Sequence, residues 1–237
     1  MRAGALAIIG SLAICLPTFA QTCPAPLDTA LRLVVVTSDR VASPAATIQR
    51  FERTAANASW KPVDTARPAL IGHNGMAWTQ VFRGLARNGE PVKVEGDKRA
   101  PAGFYKLGAS FGFGRSSRLN YLPIKEGTVC VDDTASPAYN TITTRAKVGN
   151  VVHGENMWRV PAYRHGLLVN YPTDAKARAG SCIFVHLRLP DMKGTAGCVA
   201  VAEADLLTLQ DFAQPGAVLA ILPRNARDRL PGCLPDF

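Results

Sequence analysis

Residues 180–200, GSCIFVHLRLPDMKGTAGCVA, run from a β-branched apolar stretch that closes on His186, through a loop of small residues, to Cys198 directly after Gly197. The stretch Ser181–Leu187 reads as a strand. Cys198 lies twelve positions beyond His186 and close to the best helical pattern in the chain. That pattern covers Glu203–Ala213: Leu206, Leu209 and Ala213 share a face that Leu207 and Phe212 widen, and Pro215-Gly216 ends it. "AVLAILP" from Ala217 then reads as a last buried strand.

A strand end and a helix-entry loop are able to bring two side chains together. A nucleophilic cysteine needs thiolate character, which a neighbouring imidazole or a helix N-terminus supplies. Gly197 beside it permits close approach or an unusual dihedral, and adjacent backbone amides are suited to stabilising an oxyanion. Against this stands a plainer reading, with Cys198 an inert core residue and His186 a structural histidine. Both stay open on these residues alone.

Further out, strands are predicted at "LRLVVVTS" from Leu31, "ATIQRFER" from Ala46, Gly103–Leu107, Thr128–Val131, Asn150–His153 and Gly166–Tyr171, with a short one between Gly89 and Gly96. His73-Asn74-Gly75 is a turn signal at the end of an apolar stretch. Residues 108–150 are rich in Gly, Ser, Asn and Asp and read as long loops, a length that suggests a binding or catalytic task. Many strands with one good helix predict a mostly β fold built on a mixed sheet or sandwich, with one or two short helices. There is no repeat and no linker, so residues 21–237 are expected to form a single domain.

The composition of the 237 residues, 47% hydrophobic and 19% charged, excludes a disordered tail. The first twenty residues, MRAGALAIIGSLAICLPTFA, carry one base, an apolar run and a small-residue ending, the pattern of a secretory leader cleaved after Ala20. Export to a periplasm or cell envelope is therefore expected, with no transmembrane segment in the mature chain. A formal charge of +9 suits acidic envelope polymers or anionic lipid surfaces, and the leader argues against nucleic acid. His73, His153, His165 and His186 form no metal-binding spacing, no two cysteines make a CxxC pair, and no phosphate-cradling glycine motif is present, so no cofactor or metal is expected. After the leader there remain Cys23, Cys130, Cys182, Cys198 and Cys233, an odd number that flags one unpaired thiol.

The dispersed segments PAGFYKLG, VCVDD, SPAYN, HGENM, GSCIFVH and TAGCVA, spread from about residue 95 to residue 223, give the chain a resemblance to the exported YkuD-type L,D-transpeptidase catalytic-domain family. The resemblance implies an L,D-transpeptidase-like β fold and a cysteine acyl-transferase acting on peptidoglycan stem peptides. Cys198 matches the family nucleophile and His186 its base, with Gly197 near the oxyanion site. Cys198 would attack an amide carbonyl next to a meso-diaminopimelate or similar centre, and the terminal D-alanine would leave. A side-chain amine of another stem, an envelope protein, or water would then resolve the thioester. The typical family core reads Ser-His-Gly-Cys followed by a polar residue, whereas here it is Thr195-Ala196-Gly197-Cys198-Val199-Ala200, with a shorter His-to-Cys spacing. Crosslinking, lipoprotein attachment, hydrolysis on the same Cys–His core, and a noncatalytic envelope-binding module all stay open.

Glu155 and Thr195 are candidate substrate-binding residues; Glu155 would bind a substrate amine or orient a catalytic group. His153 reads as structural, Asp132 and Asp133 as turn-holding side chains, and Lys98 and Arg99 as a solvated basic face. Tyr139 and Asn140 match a motif without an evident role. With Cys198 taken as the free thiol, four cysteines are left to pair. Cys23–Cys233 would tie the two Pro-rich ends together, and Cys130–Cys182 is the remaining pair.

Overall fold

The computed structural model describes residues 23–172, 178–213 and 216–237; the expected leader and the Pro215 helix stop lie outside them. The fold is mostly β. In chain order the elements are β1 (Arg32–Ser38), β2 (Ala45–Glu52), β3 (Lys61–Pro62), β4 (Arg67–Leu70), β5 (Met76–Trp78), β6 (Ala100–Phe113) and β7 (Leu122–Ile124). They continue with β8 (Thr128–Cys130), β9 (Ile142–Thr144), α1 (Arg145–Val148), β10 (Glu155–Asn156), β11 (His165–Val169), β12 (Phe184–Leu187), β13 (Val199–Val201), α2 (Glu203–Phe212) and β14 (Val218–Pro223).

The main sheet runs β1-β14-β6-β11-β12-β13-β4-β2-β3, and β1 also pairs with β2, so the hydrogen-bonded path closes on itself. Its central strands are apolar because both faces are covered. β1 and β14 pair in parallel from Leu33↔Val218 to Ser38↔Pro223, and every residue of β14 is buried. The long β6 bonds β14 through Gly103–Lys106 and β11 through Leu107–Gly112, so one strand joins two sides of the sheet. β12 and β13 are parallel, with Val185↔Val199 and His186↔Ala200 in register. Helix α2 follows at once, with Glu203 and Asp205 in its first turn, where acidic groups suit the helix dipole, and buries Leu206, Leu209 and Phe212. A separate small sheet, β10-β8-β9, lies beside the site.

The Asn-Gly turn forms as expected. The Gly75 amide donates to the Gly72 carbonyl at 2.7 Å with a φ of 82°, and a Cβ there would meet the Val41 carbonyl oxygen at 1.9 Å. Three local expectations are corrected. Residues 150–153 form no strand, because the Arg145 guanidinium donates to the carbonyls of Val152 (2.6 Å) and Gly154 (2.8 Å) and so replaces a ladder; the strand is β10, with Glu155 opposite Cys130. Residues 89–96 make a single bridge, Trp78↔Val92, since the Asp97 carboxylate gathers the amides of Val94 and Arg99 and the Lys93 ammonium into a compact loop. The span 108–150 holds more strand than loop composition suggests, because pairing to β11 and within the small sheet outweighs the weak propensity of its Gly and Ser residues.

Both disulfides form as expected. Cys23–Cys233 has Cα atoms 5.5 Å apart and joins positions separated by 210 residues; Cys130–Cys182 has Cα atoms 6.0 Å apart. Cys198 is free and buried. No helix among the described residues is long and apolar enough to cross a membrane. The C-terminal segment is also held by Arg229, which donates to both carboxylate oxygens of Glu90 at 2.6 and 2.7 Å, while the Trp78 indole donates to Glu90 at 2.7 Å.

Three measurements check this frame. In urea, a thiol-alkylating reagent should add once per chain spanning residues 23–237, and five times after reduction, read by intact mass. Replacing Cys23 and Cys233 together by Ser should lower stability by about 2–5 kcal/mol in urea titrations. For Glu90, burial acts to raise the carboxyl pKa, but hydrogen bonds from Arg229, the Arg87 amide and Trp78 outweigh it and hold it down from 4.5 to about 2. Its contribution to stability is therefore full above pH 4.5 and lost as pH falls towards 2. Glu90→Gln should flatten the acid limb of stability across that window, and an unchanged limb would remove the assignment.

Candidate active site

The sequence candidates converge. Glu155, His186, Thr195, Gly197 and Cys198 line one cleft of about 520 Å³. The convergence follows from the parallel β12–β13 ladder. His186 is opposite Ala200, the pleat repeats every two residues, and Cys198 is two before Ala200 at the entry of β13. The Phe184 amide of β12 donates to Cys198 Sγ at 3.4 Å, which ties the thiol to the neighbouring strand.

His186 is 5% exposed and its Nδ1 lies 2.9 Å from the Leu187 carbonyl. A carbonyl only accepts, so Nδ1 carries the hydrogen and the neutral ring presents Nε2 as a lone pair. Burial lowers the pKa of this imidazole, against the opposing Leu187 hydrogen bond. Burial likewise pushes the Cys198 thiol up to about 12; the Glu155 charge adds to the rise, while the Phe184 amide and Lys93 oppose it. The resting pair is a neutral thiol and a neutral imidazole, and the thiol donates to the Cys182 carbonyl at 3.4 Å.

The loop that delivers Cys198 is braced by Thr195. Its hydroxyl accepts from the Gly197 amide at 3.1 Å and donates to the Cys198 carbonyl at 2.7 Å. Its backbone is pinned in turn, the Thr195 amide donating to Ile71 at 2.9 Å and the His73 amide donating to Thr195 at 2.8 Å. Gly197 has a φ of 153°, and a Cβ there would press on the Arg99 carbonyl at 3.1 Å. Thr195 and Gly197 thus engage each other, and the Gly197 amide is already hydrogen-bonded within the loop.

Three contributors were not assigned roles from sequence. Asn140 clamps Cys182: its Oδ1 accepts from the Cys182 amide at 2.9 Å and its Nδ2 donates to the Tyr171 carbonyl at 3.0 Å. It thereby holds the residue whose carbonyl meets the thiol, at a φ of 55° that cuts the predicted Ser181–Leu187 strand back to Phe184. Tyr163, buried, donates to Glu155 Oε2 at 2.5 Å and packs edge-on against the His186 ring with centroids 5.5 Å apart. Glu95 lines the cleft and accepts from the hydroxyls of Tyr139 and, at 2.9 Å, Ser181. The motif SPAYN signalled Asn140 and Tyr139; nothing local in the sequence signalled Tyr163.

The remaining candidates take supporting positions. Asp133 accepts from the Ala135 and His153 amides, a turn-holding role, while Asp132 lines the cleft and pairs with exposed His153. Arg99 donates to the Asn74 carbonyl, and Lys98 lies on the cleft rim. Among the described residues no group of three or more His, Cys, Asp or Glu is placed to hold a metal ion. No protein-family model, no curated protein and no solved structure matches this chain.

With the thiol pKa near 12, alkylation of native Cys198 by iodoacetamide should climb about tenfold per pH unit through pH 8–10 without levelling. A plateau near pH 8.5, followed by peptide mass mapping, would contradict the buried, neutral resting thiol.

Proposed function

We propose that this chain is an exported cysteine acyl-transferase of the L,D-transpeptidase type, acting on peptidoglycan stem peptides. One observation carries the reading. The free thiol sits in an open cleft, one strand from a histidine whose tautomer a backbone carbonyl fixes, while the other described cysteines are paired in disulfides. Two disulfides suit an oxidising compartment, which supports export. The motif resemblance supplies the substrate class, and the net positive charge suits an acidic polymer surface.

In the proposed cycle the thiol hydrogen turns from the Cys182 carbonyl to His186 Nε2 as Sγ attacks the amide carbonyl of the donor stem. The C–N bond to the terminal D-alanine breaks, and His186 returns the proton to the departing amine, which leaves a thioester on Cys198. An incoming amine, or water, attacks the thioester and gives its proton to His186, and the thiol is regenerated. The Nδ1–Leu187 bond keeps the ring oriented through both half-reactions, as the buried carboxylate does in a Ser-His-Asp triad.

The test is intact mass after incubation with tetrapeptide muropeptides. The wild type should gain the donor mass less D-alanine, Cys198→Ala should gain nothing, and His186→Gln should acylate about 10²–10⁴-fold more slowly. Crosslinked product indicates transfer, and tripeptide product indicates hydrolysis. An adduct on Cys198→Ala, or none on the wild type across several stems, would leave the envelope-binding reading in its place.

A further inference from the structure

Glu155 is an expensive side chain to keep where it is. It is half-buried on β10, and burial raises its carboxyl pKa, against the Tyr163 hydrogen bond, with Asp132 adding to the rise. Among the described residues no lysine or arginine forms an ion pair with Glu155 or Glu95, and Asp132 pairs with the exposed His153. A partly desolvated carboxylate without a counter-cation is unfavourable. The chain as a whole carries +9, so cations are not scarce; they are kept out of this wall of the cleft, where Lys98 on the rim is the one lysine or arginine among the described lining residues.

The carboxylate is also aimed. Tyr163 is 4% exposed, holds Oε2 from behind at 2.5 Å, and is itself wedged edge-on among Phe111, Phe184 and His186. Arg145 braces the same loop from the far side, donating to Asn156 Oδ1 at 2.8 Å and to the Gly154 carbonyl. Glu155 is opposite Cys130, whose disulfide partner Cys182 carries the carbonyl that meets the Cys198 thiol. The carboxylate is therefore built into the same rigid unit as the nucleophile.

We propose that Glu155, aimed by Tyr163 as a positioning residue and assisted by Asp132, is the recognition residue for a primary ammonium group on the peptide that enters the Cys198 cleft. The inference rests on the acyl-transfer reading for its substrate and on geometry for its charge. It has a mechanistic consequence. The Glu155 charge acts on Cys198 to keep the thiol protonated, so an ammonium seated on Glu155 cancels that field and lowers the thiol pKa when substrate is present. Peptides lacking the amine would leave the nucleophile in its resting form.

The charge of the cleft is testable without turnover. Matched cationic, neutral and anionic methanethiosulfonates react with native Cys198 by displacement of methanesulfinate, and mass spectrometry reads the mixed disulfide. The cationic reagent should outpace the anionic one on the order of tenfold in the wild type. Glu155→Gln should cut that ratio several-fold, Asp132→Asn should cut it less, and Tyr163→Phe should lower it with both disulfides intact and the melting temperature of the fold checked alongside. A wild-type ratio near one, or a ratio unmoved by both Glu155→Gln and Asp132→Asn, overturns the proposal.

The second arm uses donor stems with the side-chain amine free or N-acetylated, first without acceptor and then with it. Loss of acyl-enzyme on acetylation in the wild type, but not in Glu155→Gln, places the ammonium of the donor on Glu155. Equal rates throughout overturn the proposal while leaving acyl transfer standing. Charge selectivity without any acylation would instead overturn the acyl-transfer reading alone.

Discussion

The parallel pairing of β12 with β13 is the constraint from which the site follows. Two parallel neighbours cannot be joined by a tight turn, so residues 188–198 must travel back along the sheet before β13 begins. The return path ends where the next strand starts, and that point is Cys198. Register then settles which strand residue faces it: His186 is paired with Ala200, and a one-residue slip would turn the imidazole to the opposite face. The Thr195 hydroxyl and its backbone bonds to Ile71 and His73 keep the returning loop from sliding.

Around that ladder the polar groups form a second frame. Asn140, the Cys130–Cys182 disulfide, Glu155 and Tyr163 make a continuous path from the small sheet to the thiol. Each link satisfies a buried polar group or closes a covalent loop, so the thiol's surroundings are held by bonds with defined directions as well as by packing. The apolar part of the frame is a small cluster of Phe111, Ile124, Cys130, Met157, Ala162, Tyr163, Phe184 and Cys198, set apart from the main core.

Electrostatics divide in the same way. The chain is basic overall, which favours approach to an acidic polymer, while the wall of the cleft is acidic where Glu155 and Asp132 stand. The two fields differ in range: the net charge acts well beyond the surface, and the acidic wall acts only on a group that enters the cleft. The neutral Cys198–His186 pair fits this division, since nothing in the resting cleft stabilises a thiolate strongly enough to hold it charged.

The sequence by itself determined the strands with strong apolar runs, namely β1, β11, β12 and β14, together with helix α2, because local periodicity and β-branching report burial directly. It also singled out Cys198, His186 and the two disulfide pairs, since cysteine number and motif chemistry are properties of residue identity. Closure of the sheet through β1–β2, the strands β7 and β9 within 108–150, and the bend at 150–153 were decided by tertiary structure, because pairing partners elsewhere in the chain and the Arg145 side chain override weak local preference. The same holds for the site's finer chemistry. Tyr163 is an ordinary aromatic in the sequence; only the fold places its hydroxyl on Glu155 and its ring against His186, since hydrogen bonds and ring contacts depend on distances in space and not along the chain.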